Sequence, residues 1–68
     1  MKTVSGKKFI IILGNNGWNL LRIKGSHHIL GKPGSKIRIS IPVHGKKPLK
    51  TGLLKYYLKV TGISENDL

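Results

Sequence analysis

From Phe9 to Leu13 the chain reads F-I-I-I-L, an apolar run set between lysines and a polar G-N-N-G. Phe9, Ile12 and Leu13 share one helical face, with Ile10 beside it, which is the i, i+3, i+4 spacing of an amphipathic helix. Ser5 is a good N-cap and Gly17 a good stop. Consecutive isoleucines favour β structure, but the caps and the flanking lysines decide for a helix over residues 6–15, with Ile11 pointing away from the apolar stripe. Trp18 to Lys24 then reads as a strand of mixed alternation, Gly25-Ser26 as a turn, and His27 to Lys32 as a second strand. Pro33-Gly34-Ser35 marks a hairpin turn. Ile37, Ile39, Ile41 and Val43 alternate with Arg38, Ser40 and Pro42, the clearest period of two in the chain. That pattern predicts a strand over residues 36–42 with one buried face, and Pro42 suits a strand end or an edge. After a polar loop, His44 to Pro48, residues 49–60 predict a second helix. Leu53, Leu54, Tyr57, Leu58 and Val60 or Ile63 supply its apolar side, Lys50, Lys55 and Lys59 the other, and Gly62 ends it. Ser64 to Asp67 begins one further turn. The order αβββα predicts an α+β fold: both helices cover one face of a three-stranded antiparallel sheet, and the other face is left solvated and basic.

The chain's 68 residues read as one domain, 1–68, near the lower limit for a self-supporting core. It has no cysteine, which removes disulfides, thiolate chemistry and cysteine zinc sites, and fits a cytoplasmic location. The longest apolar run is the five residues Phe9–Leu13, far below the roughly 20 of a membrane span. Lys2, Lys7 and Lys8 before it imitate a signal peptide only weakly.

Charge changes the picture more. Thirteen Lys and Arg face two acids, a formal net charge of +11. Self-repulsion of that size costs stability, and a polyanionic partner relieves it. The basic residues run through the whole chain, so nucleic acid is the leading partner class. An anionic membrane surface is weaker, because no long basic amphipathic helix is present. Both acids, Glu65 and Asp67, lie in the last four residues. Paired-carboxylate hydrolysis, clustered-acid Mg²⁺ nuclease chemistry and a Ser-His-Asp triad therefore lack their carboxylates. An enzyme built from this chain must use His, Lys, Arg, Ser, Tyr and backbone N–H groups, with no cofactor.

The segment K-G-S-H-H-I-L, Lys24 to Leu30, places two adjacent histidines on a strand. Adjacent strand residues point to opposite sides, so the two imidazoles cannot do one job, and a paired-histidine metal site on one strand face is excluded. A three-residue loop at 33–35 would pair Lys32 with Lys36, Ile29 with Ile39 and His27 with Ile41, and would put His28 on the face of Arg38 and Ser40. A one-residue slip reverses those faces. Arg22 and Lys24 stand on the adjoining strand, Gly25 lets a phosphate approach the backbone, and Ser26 adds a hydroxyl. A histidine among cations on a nucleic-acid surface is what RNA cleavage without metal requires. Imidazole titrates near neutrality and can take the ribose 2′-OH proton or give one to the leaving 5′-oxygen. Lys and Arg neutralise charge growing on the phosphorane. The products would carry a 2′,3′-cyclic phosphate, and DNA would not be cut.

S-G-K-K-F-I-I-I-L-G-N-N-G-W (5–18), R-I-K-G-S-H-H-I-L (22–30), I-P-V-H-G (41–45), L-K-T-G-L-L-K-Y-Y-L (49–58) and the closing T-G-I-S-E-N-D-L together resemble the HicA, or YcfA-like, toxins. The resemblance covers nearly the whole chain in order. It implies a double-stranded-RNA-binding-domain-like αβββα fold and an mRNA interferase, a ribosome-independent endoribonuclease whose active site a HicB antitoxin masks. The family's catalytic histidine is the one in G-S-H, which falls on His27; His28 takes the next place, and Arg22 and Lys24 meet the basic-strand pattern. Ile11, Gly14, Gly31, Thr51 and Leu53 depart from the usual family residues, and none touches the G-S-H step.

The RNA-contacting set is then Arg22, Lys24, Gly25, Ser26 and His28, joined by Lys46, Lys47 and Lys50, a basic run at the start of the second helix where this fold commonly meets phosphates. A solvated face is the alternative for that run. His44 reads as a strand cap and turn former ahead of a second proton-transfer group. Trp18 reads as a core anchor ahead of a base-stacking platform, and of Tyr56 and Tyr57 one belongs to the core and one to the surface. The competing function is a non-catalytic RNA-binding module, which would have the same charge and fold but no need of His27.

Overall fold

The computed structural model describes residues 2–68. Its elements are α1 (Gly6–Asn15), β1 (Asn19–Lys24), β2 (His27–Gly31), β3 (Arg38–Pro42), α2 (Thr51–Thr61) and a 3-10 turn (Glu65–Asp67). The three strands form one antiparallel sheet in the order β1-β2-β3. This is the αβββα architecture the alternation predicts. Each strand and α2 begin or end within two residues of the expected limits, and α1 matches them.

Local chemistry sets the boundaries. The Ser5 hydroxyl accepts from the Lys8 N–H at 3.2 Å and caps α1. Gly62, in the left-handed region at φ 75°, closes α2 by donating to the Leu58 carbonyl at 2.9 Å. Val4, Phe9, Leu13, Trp18, Leu30, Ile39, Ile41, Leu49, Leu54, Tyr57 and Ile63 make the core. Phe9 stacks on Tyr57 with ring centroids 5.7 Å apart, which joins the two helices. The Tyr57 hydroxyl donates to the Ser40 carbonyl, which joins α2 to β3. Burial pushes the Tyr57 phenol pKa up, and neighbouring Tyr56 adds to the rise. Ile11 and Tyr56 are exposed, as their helical positions require.

The β2–β3 register differs from the three-residue-loop pairing. Lys32-Pro33-Gly34-Ser35 is a turn closed by the Ser35 N–H on the Lys32 carbonyl at 3.0 Å, with Gly34 at φ 81°. Pro before a positive-φ Gly is the type II arrangement, whose twist does not continue into paired strands. Lys36 and Ile37 therefore stay outside the ladder, and the first pair is Gly31 with Arg38. The whole ladder slips by one: His27 pairs with Pro42, His28 with Ile41, Ile29 with Ser40 and Leu30 with Ile39. His28 consequently lies on the helix-covered face with Leu30, Ile39 and Ile41. Arg38 and Ser40 share the face of His27 instead. Ile37, the first member of the alternating run, is exposed.

Two close approaches fix the end of β3. Gly6 is buried, and a Cβ there would overlap the Pro42 carbonyl oxygen, so only glycine lets α1 start against this strand. Ser5 bridges to Pro48, and the Leu49 N–H donates to the Val4 carbonyl at 2.8 Å. The segments before α1 and before α2 are thereby tied together beside Pro42.

Candidate functional site

The turn between β1 and β2 is two residues long, because Lys24 pairs directly with His27. Gly25 has φ 60° and Ser26 does not leave the ordinary region, the pattern of a type II′ hairpin turn with Gly at its first central position. The turn alone accounts for the glycine. It also places Lys24 opposite His27 on one face of the ladder, in the near cross-strand contact of paired side chains. Arg22 pairs with Ile29 and so lies on the same face. Further along β1 a bulge leaves Leu21 unpaired between Leu20 and Arg22.

His27 is exposed, while His28 is half-buried and its Nδ1 is enclosed with no hydrogen-bond partner. The structure thus brings Arg22, Lys24, Ser26 and His27 to one corner of the open face. His28 is withdrawn to the other side of the sheet.

The lysines of the second-helix start divide. Lys47 and Lys50 line a cleft of about 350 Å³ together with Pro42, His44, Pro48, Leu49 and Leu53. Lys46 is exposed in the turn before it and is not among the lining residues. Lys50 is the N-cap of α2 and supplies no side-chain cap bond. Pro42 is shared: it walls the cleft and is the cross-strand partner of His27. The cleft and the histidine corner are therefore neighbours, joined through the end of β3.

His44 follows β3 and closes the next turn, its carbonyl accepting from the Lys47 N–H at 3.1 Å, as expected of a strand cap and turn former, and it also lines this cleft. The signal was the parity of the strand. With Pro42 facing His27, the next residue of that parity is His44, but parity is readable only once the register is known. Trp18 is buried as a core anchor. Among the described residues no three His, Cys, Asp or Glu side chains gather into a metal-binding group, and no helix is long and apolar enough to cross a membrane.

The fold is a strongly basic α+β domain with one helix-covered face and an open face that carries Arg22, Lys24 and one exposed strand histidine. Residues 6–63 match the model of the HicA toxin family, described as HicA toxin of bacterial toxin-antitoxin. The match spans most of the chain, so this protein belongs to the HicA toxin family, a family of toxin–antitoxin toxins. A solved structure, the HicA3 and HicB3 toxin-antitoxin complex, is similar to it with a TM-score of 0.69 and 28% sequence identity, covering 87% of this chain and 94% of that chain. No curated protein matches.

Proposed function

We propose that this toxin is an mRNA interferase: a metal-independent endoribonuclease acting on messenger RNA in the cytoplasm, held in check by a HicB-type antitoxin. The observation that carries the reading is the placement of His27. It is the exposed member of the histidine pair, and it stands opposite Lys24 and on the same face as Arg22. RNA lying on this face meets an imidazole able to move the 2′-OH proton and cations able to hold the phosphate as its charge grows. His27 is the general base. Its proton uptake lets O2′ attack the adjacent phosphorus, so the cut ends in a 2′,3′-cyclic phosphate and a 5′-hydroxyl. Lys24, Arg22, Lys47 and Lys50 carry the backbone contacts, with Ser26 adding a hydroxyl at the turn and Lys46 lying at the rim. The HicA3 and HicB3 complex supports a HicB-type partner, and the +11 charge suits an acidic one.

The deciding experiment incubates the purified chain with RNA in EDTA, with His27→Ala and His28→Ala beside it. The expected result is cleavage by the wild type and by His28→Ala, and binding without cleavage by His27→Ala. Equal cleavage by His27→Ala would remove the site assignment. Binding without cleavage by the wild type would establish the inert RNA-binding module instead.

A further inference from the structure

We infer that the cleft between the end of β3 and the start of α2 seats the nucleotide on the 3′ side of the cut, and that His44 is the general acid protonating its departing 5′-oxygen. This rests on the RNA-cleavage reading and supplies the acid that reading lacks.

The geometry comes from the end of the ladder. His27 pairs with Pro42, and the Val43 N–H donates to the Ser26 carbonyl at 2.8 Å. Bonding between β3 and the β1–β2 turn thus continues one step past the last formal pair. His44 follows that bond directly. His44 lies two residues beyond Pro42, the cross-strand partner of His27; the same offset within a ladder spans about 7–8 Å, within reach of long side chains. Two imidazoles so spaced can flank one phosphate from opposite sides. In-line displacement needs that, because the attacking O2′ and the leaving O5′ stand at opposite apices.

The cleft's chemistry agrees. Its polar lining is His44, Lys47 and Lys50, with no carboxylate, and Pro42, Leu49 and Leu53 give it apolar walls. Cations over an apolar wall suit a sugar-phosphate better than a neutral metabolite, and its volume of about 350 Å³ lies at the small end of the roughly 300–1,000 Å³ of ligand pockets. His44 is exposed, so no packing requirement accounts for an imidazole there.

The step balances. O2′ loses its proton to His27 and bonds to phosphorus; the P–O5′ bond breaks; and protonated His44 gives its proton to O5′. His27 ends protonated and His44 neutral, and exchange with water restores both.

The test uses two RNA substrates of one sequence, one with the natural linkage and one with a bridging 5′-sulfur, whose thiolate departs without needing a proton. His44→Gln is expected to cut the natural linkage about 100-fold more slowly or worse, the ordinary size of a lost proton transfer, and to recover near-wild-type rate on the sulfur linkage. His27→Gln is expected to stay slow on both. A His44→Gln variant as fast as wild type on the natural linkage, or equally slow on both, overturns the inference while leaving the cleavage reading intact. Failure of the wild type to cut either substrate overturns the cleavage reading itself. Unchanged thermal unfolding of His44→Gln, checked again with His44→Asn, ties the kinetics to the imidazole.

Discussion

His27 and His28 are consecutive, yet they belong to different halves of the molecule. His28 pairs with Ile41 beneath the helices, among Leu30 and Ile39; His27 pairs with Pro42 and Lys24 in the open. The covered half gains its free energy from apolar burial, which tolerates no unpaired charge. The open half carries Arg22, Lys24 and Arg38, part of a set of 13 Lys and Arg whose mutual repulsion raises the energy of the isolated chain. A sheet lets both coexist one residue apart, since its pleat sends successive side chains to opposite sides. On the proposed function, stability and chemistry separate by face, not by region of sequence, and that claim can be broken.

The sharpest break is His27→Ala. Cleavage is expected to fall by at least about 10²- to 10⁴-fold with no change in melting temperature, whereas His28→Ala keeps cleavage and melts earlier. RNA fragment assays and circular dichroism read both, and a shared defect in the two variants would dissolve the contrast. Next comes Phe9→Ala, which opens a cavity under the Tyr57 ring at a cost of about 3–5 kcal/mol. A chain of this length has only about 3–10 kcal/mol in total, so chemical denaturation should find much of this variant unfolded. Gly6→Ala is smaller, about 1–3 kcal/mol for overpacking. It presses on the Pro42 carbonyl, so it should disturb both halves at once, lowering the denaturation midpoint and the cleavage rate together. Tyr57→Phe removes one hydrogen bond, worth about 0.5–1.5 kcal/mol net, and changes the alkaline behaviour. The folded phenol holds its proton more tightly than the unfolded one, whose value is 10.0. Its contribution is therefore whole below pH 10 and is lost as pH rises through the raised folded value. The wild type should lose stability above pH 10 more steeply than Tyr57→Phe, and parallel curves would contradict the burial. Smallest are Lys47→Ala and Lys50→Ala, each expected to reduce the slope of log K against log salt by about one without altering the melt.

Much of this was legible in the residues. The α1 stripe, the alternation through Ile39 and Ile41, and the caps at Ser5 and Gly62 are local signals, and local structure follows them. The division between Tyr56 and Tyr57 needed only helical spacing. The register was not legible, because it depends on whether Pro33-Gly34 continues the strands or interrupts them, and the type II turn interrupts them. With the register went the faces of His27 and His28, and with those the position of His44. The cleft escaped for another reason. It forms where the end of β3 meets the segment before α2, held by contacts from Val4, Ser5 and Gly6, and no window of sequence contains all of them.

β1 remains. All six of its residues are exposed, including Leu20 at 47%, Leu21 at 51% and Ile23 at 56%, and as one of the two outer strands it offers one free row of backbone donors and acceptors. Arg22 and Lys24 are the charges on this strand; charge on an edge opposes pairing with a like edge, and such repulsion reaches only about 8 Å at physiological salt and about 3 Å at 1 M. Concentrated toxin is therefore expected to stay dispersed in dilute buffer and to self-associate edge to edge as ionic strength rises, so that charge on this edge serves as the chain's defence against its own copies.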